Sequence, residues 1–288
     1  MIVIATPNKD HAPQAKAALE LGIATVIDKP VATNAKECED LIETSKKKNA
    51  LLSVFQNRRW DNDFLTIKQL IDKGTLGTIL RFESRFERYR PAPRAGAWRE
   101  TVSNEEGGGI LFDLGSHLID QATHLFGQAN EVYAEVDVRR EGVKSDDDSF
   151  VALSFPSGVR AHLWMSAMSA SQGHRFRVLG SEGAYEKYGL DPQEDALRAG
   201  KTPTDKGWGS EPDTKWGTLT QYIDGFQKQE KLKSQEGCYQ NFYEQMKEAI
   251  RGNGAVPVNP AEALATLKII EAARQSAKEK SPLSLACR

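Results

Sequence analysis

Met1-Ile2-Val3-Ile4-Ala5-Thr6-Pro7-Asn8 opens the chain, and two similar runs follow it, Ala24-Thr25-Val26-Ile27-Asp28-Lys29-Pro30 and Leu51-Leu52-Ser53-Val54-Phe55-Gln56-Asn57. Each is a short apolar, β-branched stretch, the pattern of a strand buried on both faces of a parallel sheet. Between them the sequence predicts a helix over about Ala12–Leu21, closed by Gly22, and a second from about Asn34 to Lys48, with Thr33 or Asn34 as N-cap. The order β-α-β-α-β implies parallel pairing, right-handed crossovers and a doubly wound sheet. In such sheets ligands bind beyond the carboxyl ends of the strands. Thr6-Pro7-Asn8, Asp28-Lys29-Pro30 and Asn57-Arg58 stand at those ends. Lys29 reads as a positioned amine, since Pro30 fixes the backbone that follows, and such an amine can relay a proton or lower the pKa of a substrate hydroxyl. The plainer reading is a solvated lysine before a turn proline.

Further along, Gly107-Gly108-Gly109 leads into Ile110-Leu111-Phe112-Asp113-Leu114-Gly115-Ser116-His117-Leu118-Ile119-Asp120. The apolar spacing predicts an α-helix running to about Phe126, with Ile110, Leu114, Leu118 and Leu125 on its buried stripe. Asp113 and His117, four residues apart, then share one face. A carboxylate there can orient the imidazole and raise its basicity, an arrangement suited to proton transfer. The bland alternative makes Asp113 a solvated helix-start residue and His117 a hydrogen-bonded core histidine.

The remainder is organised differently. Asp61 is expected to cap a helix through about Lys73, ended by Gly74 and Gly77. Thr78–Arg88 alternates as a strand with one polar face. Glu131–Arg139, Ser149–Phe155, Val159–Met165, Arg175–Leu179 and Ala184–Lys187 follow as strands of an antiparallel sheet. Ser145-Asp146-Asp147-Asp148 lacks calcium-loop spacing and reads as a solvated acidic turn, so no metal site is expected. Asp191–Trp216 reads as an ordered loop, Tyr239–Arg251 as a helix, and Asn259-Pro260 opens a last helix to about Lys278.

Composition limits the function classes. The 288 residues are 39% hydrophobic and 27% charged, with 38 Lys+Arg against 40 Asp+Glu, so nothing recruits nucleic acid or an anionic membrane. No apolar run approaches a membrane span. The three cysteines (Cys38, Cys238, Cys287) are odd in number and far apart, which suits a reducing cytoplasm.

With Thr6-Pro7-Asn8, Asp28-Lys29-Pro30 and Gly107-Gly108-Gly109…Asp113-x-Gly115-x-His117-x-x-Asp120 in order, the whole chain resembles the Gfo/Idh/MocA oxidoreductases, the family of glucose-fructose oxidoreductase and inositol dehydrogenase. Asn57-Arg58-Arg59-Trp60-Asp61-Asn62-Asp63-Phe64-Leu65, Arg88-Tyr89-Arg90-Pro91, Trp98-Arg99 and Tyr188-Gly189-Leu190-Asp191-Pro192-Gln193-Glu194-Asp195-Ala196-Leu197 resemble its NADP-dependent scyllo-inositol 2-dehydrogenase branch. The resemblance implies a Rossmann domain followed by an α+β domain with a large, open, mostly antiparallel sheet used for homodimer or higher contacts. It implies hydride transfer between NADP (or NAD) and a secondary hydroxyl or carbonyl of a sugar or inositol. By the same match Lys29, Asp113 and His117 are catalytic. Thr6, Pro7, Asn8, His11, Asp28, Lys29, Pro30 and Asn57 border the cofactor, with Trp98 and Arg99 at its phosphate and adenine end. The domains are then expected over 1–57 and 58–288, with the last helix, about 260–279, packing back on the first.

Two departures from the family pattern stand out. Asp28 replaces the usual glutamate before Lys29. No G-x-G-x-x-G strand-turn-helix, which normally carries the dinucleotide pyrophosphate, occurs in these residues. The expectation is therefore an N-terminally truncated Rossmann sheet, or else a cofactor-free sugar-binding or dimerisation remnant.

Overall fold

The computed structural model describes residues 1–93, 102–104 and 106–285. Trp98, Arg99 and Cys287, singled out above, lie outside the described residues.

The opening strands pair as expected: β1 (Ile2–Ile4), β2 (Thr25–Asp28) and β3 (Leu52–Phe55) form a three-stranded parallel sheet in the order β1-β2-β3. Val26, Ile27 and Val54 are fully buried, whereas Ile2 and Val3 are 42% and 46% exposed. Burial on both faces therefore fails at β1, because an edge strand has one neighbour and few helical contacts. The first helix, α1 (Asn8–Glu20), starts four residues before Ala12 and carries Pro13 inside it. Helix α2 (Ala35–Lys48) is capped by Asn34 and Thr33 together. The Asn34 side chain accepts from Glu37 N at 2.9 Å, and the Glu37 carboxylate accepts from Thr33 N and Oγ1 at 3.1 and 2.9 Å.

After a 3₁₀ turn (Asn57–Trp60) and α3 (Asn62–Asp72), nine strands build the second sheet. These are β4 (Ile79–Glu87), β5 (Glu131–Asp137), β6 (Asp148–Ser154), β7 (Arg160–Ser166), β8 (Phe176–Gly180), β9 (Gly183–Lys187), β10 (Gly217–Ile223), β11 (Phe226–Leu232) and β12 (Leu283–Ser284). Their order is β11-β10-β9-β8-β4-β7-β6-β5-β12, antiparallel throughout except for the parallel β4–β7 pair. The sheet is thus mixed, as expected for a mostly antiparallel one.

One face is apolar and lies under α4 (Ser116–Phe126) and α7 (Pro260–Glu279). Phe82 meets Phe126 with ring centroids 5.5 Å apart, and Ala134 N donates to Ser276 Oγ. The other face carries Phe150 and Trp164, with the Arg85 guanidinium 3.8 Å from the Trp164 ring centre. Helix α7 also touches the parallel layer: Glu271 Oε1 accepts from Ala35 N at 2.7 Å, and Lys268 pairs with Glu39 at 2.9 Å. Its start is a full capping box between Asn259 and Glu262.

Residues 217–238, unassigned from sequence, hold the β10–β11 hairpin, with Asp224-Gly225 between Ile223 and Phe226 as its two-residue turn. Three local expectations are corrected. The expected loop after Asp191 contains a short helix, α5 (Gln193–Arg198). Asp61 makes no capping bond to α3, because its carboxylate is taken by Arg58 and Tyr239. The acidic turn is not solvated: Asp146 and Asp147 are 2% and 1% exposed. Asp147 pairs with Arg140 Nε at 2.8 Å, and Asp146 Oδ2 accepts from Leu111 N at 2.7 Å. Among the described residues no helix is long and apolar enough to cross a membrane, and no His/Cys/Asp/Glu cluster could hold a metal ion.

Candidate active site

The carboxyl ends of β2 and β3 open into a cleft of about 870 Å³ between the two sheets. Asp28, Lys29, Asn57, Asp113 and His117, all singled out from sequence, line it. Lys29 leaves the end of β2 with its backbone N–H donating to Asp28 Oδ1 at 2.8 Å. Its Nζ then reaches across to the central helix and donates to Asp113 O at 2.7 Å and Asp113 Oδ1 at 2.9 Å. The pair is largely shielded, with side-chain exposures of 12% and 23%.

The segment that presents Asp113 is not the α-helix expected. Leu111–Gly115 is a π turn, and regular α-helix begins only at Ser116. Such wide turns occur frequently at functional sites. Buried Asp146 secures its start, its carboxylate accepting from Leu111 N and its carbonyl from Ile110 N at 2.8 Å. Gly109 leads in at φ +93°, and a Cβ there would stand 2.0 Å from Asp146 Oδ1, so only glycine fits. Asn8 ties this segment to α1 by donating to Gly107 O at 3.0 Å.

His117 is buried at 4% exposure, its ring centroid 6.3 Å from that of Phe86, and its Nδ1 has no hydrogen-bond partner. Burial, then the charges of Lys29, Arg58 and Arg175, pull its pKa well below the usual histidine value. This reverses the sequence expectation that a carboxylate would raise its basicity. Asp113 spends its charge on Lys29, and the cations around His117 outweigh it. The imidazole is neutral at pH 7.

Three further groups meet at this cleft, and of them only Arg58 carries a signal in the sequence. Arg58 follows β3 and is 8% exposed; it donates to Asp61 Oδ2 at 3.2 Å and to Glu194 Oε1 at 2.5 Å. Tyr239 also lines the cleft, and its hydroxyl donates to Asp61 Oδ1 at 2.7 Å. Burial pushes the Asp61 carboxyl up to about 8, Arg58 opposing and Asp63 and Asp191 reinforcing the shift. Arg58 alone was visible as a cation beside a strand end; Tyr239 and Glu194 come from distant segments.

Thr6, Pro7, Asn8, His11 and Pro30, also expected at the cofactor, do not line this cleft. The His11 ring is 1% exposed, its Nδ1 2.8 Å from Pro30 O and its Nε2 2.8 Å from Thr6 O. It braces the ends of β1 and β2 from beneath. Thr6 and Pro7 are exposed at the end of β1, and Pro30 is buried.

This combination of a parallel strand-end cleft, a lysine–carboxylate pair and a neutral histidine on a glycine-led helix is that of a nicotinamide-dependent oxidoreductase. The chain belongs to the Gfo/Idh/MocA family: "Oxidoreductase family, NAD-binding Rossmann fold" matches residues 1–56, and "Oxidoreductase family, C-terminal alpha/beta domain" matches residues 68–285. It is 39% identical over 285 residues to scyllo-inositol 2-dehydrogenase (NADP(+)) IolW of Bacillus subtilis, covering 99% of this chain and 78% of that protein. It is 40% identical over 286 residues to the oxidoreductase YdgJ of Escherichia coli, covering 99% and 81%. Among solved structures, oxidoreductase YvaA of Bacillus subtilis superposes with a TM-score of 0.94 at 39% identity, covering 98% of this chain and 80% of that one. The YPO2259 oxidoreductase of Yersinia pestis gives 0.93 at 39% identity, covering 100% and 80%.

Proposed function

We propose that this chain is an NADP-linked dehydrogenase acting on a secondary hydroxyl of an inositol or sugar, with Lys29 and His117 handling the hydroxyl proton. The observation that carries the reading is the Lys29–Asp113 pair beside a buried, neutral His117, all lining one cleft.

The residues present fit the nicotinamide end of the cofactor. Asp28, Lys29 and Asn57 lie at strand carboxyl ends, where that ring sits in doubly wound sheets. When bound, the nicotinamide supplies or accepts the hydride at the carbinol carbon. Lys29 Nζ, fixed by Asp113, donates to the substrate oxygen and stabilises negative charge as the proton leaves. His117, uncharged, accepts that proton in oxidation and, once protonated, returns it in reduction. Asp113 holds the lysine aimed, and Arg58 offers further donors to neighbouring hydroxyls. The open face of the nine-stranded sheet, with Arg85 over Trp164, is the surface for a homodimer in a reducing cytoplasm.

The test is NADP-dependent oxidation of scyllo-inositol and myo-inositol, and NADPH-dependent reduction of their keto forms, followed at 340 nm. Turnover that disappears in Lys29→Ala and His117→Ala supports the assignment. Failure of every inositol and sugar to turn over overturns it.

A further inference from the structure

We propose that the end of the cleft beyond β3 is a second subsite that accepts an apolar substituent, aryl or alkyl, carried by the polyol or sugar that reacts at Lys29 and His117. It rests on the reading of the cleft as a polyol oxidoreductase site and adds the substrate class.

The cleft runs from Lys29 at the end of β2, past Asn57 and Arg58 after β3, to a wall built by α5, its flanking loop and α6 (Gln240–Ile250). Tyr243 of that wall contacts Phe55 of β3, ring centroids 5.4 Å apart. The wall therefore lies on the β3 side of the catalytic groups, away from β1 in the sheet order.

The wall carries Glu194, Arg198, Gln240 and Glu244, and apolar side chains stand among them. Leu190 and Leu197 are 49% and 48% exposed and Tyr243 is 39% exposed, and all three line the cleft. A single exposed leucine means little, but three apolar side chains on one wall of a concave site mark a contact surface.

The wall is also held firmly. Asp191, 5% exposed, accepts from Asn62 N and Gln193 N, each at 2.7 Å. Gln193, fully buried, donates to Trp60 O at 3.1 Å and accepts from Tyr239 N at 2.8 Å. Glu194 is bonded to Arg58, and Trp208 Nε1 donates to Gln240 Oε1 at 3.1 Å. The leucines are thus displayed from a pinned backbone, so a ligand that covers them meets a preorganised surface. Burying about 60 Å² of apolar surface corresponds to about tenfold in affinity.

The probes are phenyl β-D-glucopyranoside, methyl β-D-glucopyranoside and scyllo-inositol, titrated calorimetrically into the 288-residue protein. Phenyl glucoside should bind about tenfold more tightly than methyl glucoside, and Leu190→Ser/Leu197→Ser should bring that ratio below about twofold. Equal affinities in the wild type, or a double variant that keeps the preference, overturn the subsite and leave the polyol reading standing. Binding of none of the three overturns the polyol reading and the subsite with it. Should the double variant lose its circular-dichroism spectrum, Leu197→Asn alone should at least halve the ratio, and an unchanged ratio counts against the proposal.

Discussion

Lys29 Nζ stands 2.9 Å from Asp113 Oδ1 although 84 residues separate them, and it donates to the Asp113 carbonyl as well. One lysine therefore joins the end of a parallel strand to a π turn in the other layer. Because the pair is only partly exposed, its loss leaves a shielded charge rather than a solvated one. Asp113→Ala should cost about 1–3 kcal/mol in urea unfolding and raise KM. Unchanged stability would mean that Lys29 finds water instead.

His117→Ala should lower kcat by about 10²–10⁴-fold in the assay described above, the usual size of general acid–base catalysis. A loss confined to KM would make His117 a binding group.

The same residue gives a pH signature. Its folded pKa lies well below the unfolded value, so the unfolded state binds the extra proton between the two. The contribution to stability is complete above about pH 6.5 and is lost as pH falls, at up to about 1.4 kcal/mol per pH unit. Wild type should therefore lose more stability than His117→Gln between pH 7 and pH 5. Parallel curves for the two proteins would rule this out.

Tyr239→Phe removes the hydroxyl that donates to buried Asp61. Leaving that acceptor short of a donor should cost about 1–3 kcal/mol, measured by chemical denaturation. Asp61→Asn, which keeps the shape and removes the buried charge, should be tolerated better at pH 8 than at pH 5, since burial disfavours the ionised form.

Gly109→Ala meets both a positive φ and the Asp146 carboxylate. It should destabilise by about 2 kcal/mol or more and depress activity through the π turn that presents Asp113. Gly142→Ala, also at positive φ but with open space around it, provides the comparison: a similar activity loss there would detach the effect from Asp146.

Legibility followed the range of the forces involved. β2 and β3 were readable because three or four apolar residues bounded by turns need no distant information. The Asn34 and Asn259 caps were readable because their bonds close within three residues. The β10–β11 hairpin escaped because its strands are mostly polar and lie at the sheet edge, where β11 is exposed along most of its length. Asp146 and Asp147 escaped for the opposite reason: an acidic run normally faces water, and donors from Arg139, Arg140, Leu111 and Ser149 make its burial tolerable.

By itself the sequence determined the β-α-β-α-β start, the mostly antiparallel second layer, the family, and the placing of Lys29, Asp113 and His117 where chemistry was expected. The elements follow from periodicity and termination signals, which are local properties of the chain, and the family and the catalytic roles follow from the resemblance its motifs carry. Only the tertiary structure decided which charges meet. Asp113 turns to Lys29, Arg58 reaches Glu194 across 136 residues, and Tyr239 reaches Asp61 across 178. The protonation of His117 follows from those meetings, because Coulomb and desolvation energies depend on distance in space and on burial, which no local pattern encodes.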